Sequence, residues 1–142
     1  MFLDKPLYGF GPGTFQFQYL SYQLPDETTY ISVFSPYNIK PGRGGSTHNE
    51  YLLLLSESGI FCLFAFLFLI IIAIATALKI IYQTKQKYIQ QSMLWLLLGL
   101  FTYLIHSFFN NFMDTDKAAF LFWITLAMMV NLFLEHKKSR QQ

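Results

Sequence analysis

The sequence predicts an all-α membrane protein in which an irregular outer loop and an amphipathic helix lead into three transmembrane helices. Composition and the apolar runs predict the class, and the placement of charge sets the direction. Of 142 residues, 54% are hydrophobic and 13% charged, against about 25% charged in an ordinary soluble domain. With sixteen Phe, nine Tyr and a mean hydropathy of +0.35, a soluble chain this short would expose more apolar surface than its core can cover. The net charge of +2 gives no general attraction to nucleic acid, and the lone Cys62 excludes an internal disulfide or a zinc-ligand spacing.

Residues 1–47 read as a loop, punctuated by Gly9, Gly11, Pro12 and Gly13, then Pro25, Pro36, Pro41, Gly42, Gly44 and Gly45. The run Gly9-Phe-Gly11-Pro-Gly13 has a misplaced third glycine for a dinucleotide loop and no buried strand before it, so it reads as a tight turn. Phe15 to Tyr22 (FQFQYLSY) has a partial period of two. It is either a short strand or a set of rings at headgroup level, and the lack of a nearby sheet partner favours the rings.

Thr47-x-x-Glu50 ahead of Tyr51-Leu-Leu-Leu-Leu55 is a capping-box pattern, which predicts a juxtamembrane helix over 48–58 with His48 in its first turn. Run unbroken into the membrane, that helix would hold His48 roughly 16 Å above Gly59. Residues 59–78 form a charge-free stretch long enough to span the ~30 Å hydrocarbon layer. Two more spans follow over 93–109 and 118–134, joined by a short outer loop at 110–117 that forces an antiparallel hairpin. A loop at 79–92 and a tail at 135–142 complete the chain.

Lys79, Lys85 and Lys87 in that loop and Lys137, Lys138 and Arg140 in the tail assign both to the cytoplasm, which leaves 1–58 and 110–117 outside. No charged n-region followed by an apolar h-region is present to export residues 1–58. The expectation is that the chain is the C-terminal part of a longer multi-spanning protein whose N-terminal helices complete the bundle.

The polar residues that carry chemistry gather around the start of the helix. Free N–H groups at a helix start attract anions, and a neutral imidazole at His48 can accept a proton. Just upstream, the glycines Gly44 and Gly45 let the backbone curl closely around a ligand, and Arg43 can grip phosphate oxygens with two parallel hydrogen bonds. His48 is thus the candidate catalytic residue, and Arg43, Gly44, Gly45 and Asn49 the candidate substrate-binding set. His106, Asn110 and Asp114 at the outer ends of the later spans are candidate cavity-lining residues. Glu57, half a turn around from His48, is excluded as its orienting carboxylate and is assigned to capping or pairing with a neighbour. Asp114-Thr-Asp116 has the Asp-x-Asp spelling of metal-bound nucleotide sugars, but without a nucleotide-binding α/β domain it reads as a hydrated turn. Trp95, Trp123 and most Phe read as lipid-facing or packing residues.

At these residues the sequence resembles the O-antigen ligase and polymerase-like proteins of bacterial envelopes. The resemblance rests on His48-Asn49, nine residues, then Gly59-Ile-Phe-Cys62, with Cys62 standing where the family usually has glycine. Pro6-Leu-Tyr-Gly9-Phe-Gly11-Pro-Gly13-x-Phe15 and Glu57-x-Gly59 also look like the family. The resemblance implies a GT-C-like bundle in the bacterial inner membrane that works without a metal or other cofactor. It implies transfer of a glycan from undecaprenyl diphosphate to an acceptor hydroxyl on the outer, periplasmic face. The acceptor is lipid A–core, another glycan or a protein. The family's required histidine carries over to His48, whereas Arg43 lies outside the matched motif and is assigned on physical grounds. Because the family's other helices lie outside these residues, the chain alone is expected to be inactive. The competing class is a non-enzymatic membrane subunit or transporter fragment whose outer loop docks a partner.

Overall fold

A computed structural model describes residues 1–22, 24, 47–113 and 116–141, with Leu20 and Asp116 described by their backbone alone. Arg43, Gly44, Gly45 and Asp114, and with Asp114 the proposed turn, lie outside the described residues. Among those described, all regular structure is helical. The chain has α1 (Phe15–Gln18), α2 (Glu50–Gln83), α3 (Lys87–His106) and α4 (Asp116–Ser139), with short 3-10 turns at Phe2–Asp4 and Tyr19–Tyr22. Three helices are long and apolar enough to cross a membrane, and their most hydropathic windows are only 11%, 22% and 17% buried. Exposed Phe61, Phe64, Phe68, Ile71, Trp95 and Trp123 cover these helices. A chain whose backbone is satisfied within helices and whose side chains leave that much apolar surface uncovered is built for a lipid solvent. This is an all-α membrane protein.

The chain divides into two units, Met1–Ala65 with Phe108–Asn111, and Phe66–Ser107 with Phe112–Gln142. The second unit packs along one stripe per helix. Ile70, Ala77 and Ile80 of α2, Ile89, Met93, Leu97 and Leu100 of α3, and Phe122, Leu126, Met129 and Leu132 of α4 form one buried cluster. Their three- and four-residue spacing marks one face of each helix. Tyr103 near the end of α3 meets Phe122 near the start of α4, ring centroids 5.0 Å apart, as an antiparallel hairpin requires.

All three spanning helices are longer than the apolar runs that predict them. α2 continues to Gln83 and α3 restarts at Lys87, so the linker shrinks to three residues, and α4 extends to Ser139. No glycine or proline stops these ends, and polar turns continue a helix wherever their side chains reach water. Gln90 Nε2 donates to the Ile81 carbonyl at 2.9 Å, occupying one of the acceptors that the end of α2 leaves open.

The segment FQFQYLSY is helical, not extended: α1 covers Phe15–Gln18 and a 3-10 turn covers Tyr19–Tyr22. Its alternation is a by-product of Gln16 and Gln18. The interaction that matters has helical spacing, the Phe15 and Tyr19 rings stacking with centroids 4.9 Å apart.

Candidate functional site

The first unit is organised by a break in α2. Gly59 has φ 76 and ψ −176 in the middle of the helix, a conformation open essentially to glycine alone. Breaking the ladder there releases backbone groups that need partners. Residues 6–11 supply them: Phe10 N–H donates to the Ser56 carbonyl (3.1 Å), Gly11 N–H to the Glu57 carbonyl (2.8 Å), and Ile60 N–H to the Pro6 carbonyl (2.9 Å). The unbroken helix expected from His48 down into the membrane is therefore corrected: the chain's first residues form a strap across a break nine positions after the helix begins.

Two further features lock the strap. Pro12 and Gly13 (φ 71) form the centre of a turn that Thr14 N–H closes on the Gly11 carbonyl at 3.3 Å, the positions that Pro and Gly hold in a type II turn. The Glu57 carboxylate accepts the Gly13 N–H and the Phe15 N–H, each at 2.8 Å. Glu57 thus caps α1 with charge-assisted hydrogen bonds, across more than forty residues of sequence. Phe15 is buried, and the Lys5 ammonium sits 4.7 Å from the centre of the Phe10 ring. Tyr22 donates its phenol proton to Asp4, and that carboxylate raises the phenol pKa.

His48 lies ahead of the helix. α2 starts at Glu50, and the residue that caps it is Asn49, whose Oδ1 accepts the Leu52 N–H at 2.9 Å. The capping box from Thr47 to Glu50 is corrected accordingly, and so is the placement of His48 in the first turn. Thr47 and Asn49 are both good caps, and the one nearer the hydrophobic run wins. Glu50 is buried. His48 is exposed and adopts φ 45, the only positive φ among the described non-glycine residues. Such a conformation costs roughly 1–2 kcal/mol in a residue with a Cβ.

What holds His48 there is a pair of anchors on either side. Asn49 Nδ2 donates to the Phe108 carbonyl at 3.1 Å. The Thr47 hydroxyl lies within donating distance of the Asn49 carbonyl (2.8 Å) and Asn111 Oδ1 (3.0 Å), and accepts the Asn49 N–H at 3.3 Å. Tyr51 packs its ring on Phe108 with centroids 4.5 Å apart. Residues 108–111 therefore clasp the helix start, and His48 sits in a turn fixed at both ends. Asn49 serves that turn through both ends of its amide. Asn110 sits within the clasping segment, between Phe108 and Asn111. The clasp has one sequence signal, the side-by-side Asn110 and Asn111, but its partner is sixty residues away.

His106, in the other unit, is exposed and lines a cleft of about 330 Å³ with Thr102, Tyr103, Phe112, Phe122 and Thr125. The Phe112 ring centroid is 6.2 Å from its own. Among the described residues, no three His, Cys, Asp or Glu side chains gather as a metal site would require.

No protein-family model matches the chain, and neither a curated protein nor a solved structure matches it.

Proposed function

We propose that the chain is the C-terminal portion of an O-antigen ligase-like glycosyltransferase in the bacterial inner membrane. It moves a glycan from undecaprenyl diphosphate to the hydroxyl of lipid A–core or of another glycan on the periplasmic face. The observation that carries this reading is His48: an exposed imidazole on a backbone held at positive φ. Strain of that kind persists only where the surroundings enforce it, and it collects at sites of function. The resemblance at His48-Asn49, at Gly59 and at Pro6 to Phe15 agrees with it, since the strap and the break give those glycines a physical role.

In the proposed reaction His48 accepts the proton of the acceptor hydroxyl as the oxygen attacks the anomeric carbon. The bond to the diphosphate breaks, and the diphosphate leaves with the electron pair. It is a good leaving group and needs little acid assistance. Positive charge and N–H dipoles stabilise it, a role assigned to Arg43 and the backbone of Gly44 and Gly45. General-base assistance supplies about 10²- to 10⁴-fold, and orientation supplies much of the rest. Asn49 is a positioning residue in this scheme, because its amide is engaged by Leu52 and Phe108.

The test is replacement of His48 by Ala in the protein as its host makes it, with surface glycan read on a gel at equal protein level. Loss of the transferred glycan is expected. Unchanged glycan would favour the docking subunit instead.

A further inference from the structure

The buried stripe of α4 runs Phe122, Leu126, Met129, Leu132 and then His136, at spacings of four, three, three and four. The last of these is polar where the pattern calls for a leucine. His136 is 7% exposed, and neither ring nitrogen has a hydrogen-bond partner among the described residues. Burying an unbonded imidazole opposes folding, and an apolar side chain there would not.

His136 lines a cavity of about 230 Å³ between the ends of α2 and α4, together with Thr76, Lys79, Gln83, Lys137 and Arg140. Three cations thus border one cavity, and none has an ion-pair partner among the described residues. Arg140 Nη1 reaches Gln83 Oε1 at 3.5 Å, which leaves most of its guanidinium fork unused. The one acid in this stretch, Glu135, is exposed and does not line the cavity. The last carbonyls of α4 are already capped, that of His136 by Ser139 Oγ (2.9 Å) and Arg140 N–H (3.3 Å), and that of Lys138 by Gln141 N–H (3.2 Å). The negative end of the helix, about half a charge, is thereby softened against three positive side chains.

Cytoplasmic anchoring accounts for exposed lysines. It does not account for a buried histidine facing the same cavity. We propose that this cavity binds a phosphate group, with His136 donating an N–H to one phosphate oxygen and Lys79, Lys137 and Arg140 neutralising its charge. Basic pockets at the cytoplasmic ends of membrane helices take anionic phospholipid headgroups in this way, and free inorganic phosphate offers the same chemistry.

The protein as its host makes it, purified and placed in phosphatidylcholine nanodiscs with or without phosphatidylglycerol, separates these sources. Native mass spectrometry reads the retained lipid, and phosphorus NMR line broadening reads inorganic phosphate. Selective retention of phosphatidylglycerol is expected, falling roughly tenfold or more in the K79A/R140A double variant and in H136L. The K85A variant, which removes a lysine outside the cavity, should retain it fully. Phosphate broadening that disappears in the same variants would identify free phosphate as the ligand and uphold the site. K79A/R140A changes only exposed side chains and keeps the test decisive should H136L fail to fold. Equal retention of both lipids with no phosphate broadening would overturn the proposal, as would an effect of K85A as large as that of K79A/R140A.

Discussion

Gly9 and Gly59 lie on opposite sides of one backbone crossing, and each is glycine because of the other's strand of chain. A Cβ on Gly9 would strike the Glu57 carbonyl, and a Cβ on Gly59 would strike the Leu7 carbonyl. Both residues also have positive φ, 65 and 76 respectively. Alanine at Gly59 therefore combines a forbidden conformation with a backbone clash, and the expected cost exceeds about 3 kcal/mol. Limited proteolysis of the first twenty-two residues checks it: the strap in G59A should be cut rapidly, and protection equal to wild type would contradict the crossing.

Gly99 makes the opposite case. It lies within α3, and a Cβ there meets nothing within 4 Å. Gly99→Ala should leave stability unchanged or raise it by up to about 1 kcal/mol, read as the thermal midpoint in detergent.

Glu57→Gln keeps the shape of the cap and replaces one of its two acceptor oxygens by an N–H donor. One of the bonds to Gly13 and Phe15 is lost and the other is no longer charge-assisted, at an expected cost of about 1–3 kcal/mol. Faster hydrogen exchange at the Gly13 and Phe15 amides is the direct readout.

Tyr22 and Asp4 give the strap a pH dependence. The phenol pKa is raised by its hydrogen bond to the Asp4 carboxylate, so the contact contributes fully below the phenol's ordinary value near ~10 and is lost as pH rises through the raised one. Proteolytic sensitivity of the strap should increase only in strong alkali, and Tyr22→Phe should abolish that pH step.

The spans were legible in the sequence because lipid solvation needs only a long charge-free run, and residues 59–78 supply one without reference to any other part of the chain. The break at Gly59 was not legible. A glycine in an apolar helix is ordinarily tolerated, and what makes this one non-helical is a strap some fifty residues earlier. The same separation hid the partner of Glu57, although capping was one of the two roles its sequence position allowed. At the helix start, Thr47 and Asn49 each satisfy a capping pattern, and only the geometry of the Leu52 N–H decides between them. His48 was legible as a residue of interest, while its positive φ arises from anchors at Phe108 and Asn111 that no local pattern announces.

The most direct test exploits that backbone. Glycine at position 48 removes the imidazole and also relieves the strained φ, so His48→Gly should fold at least as well as wild type and better than His48→Ala by about 1 kcal/mol. Glycan transfer in the protein as its host makes it should nevertheless fall by about 10²-fold or more in His48→Gly at equal membrane protein level. Transfer at the wild-type rate would contradict the assignment of His48 as the reacting base.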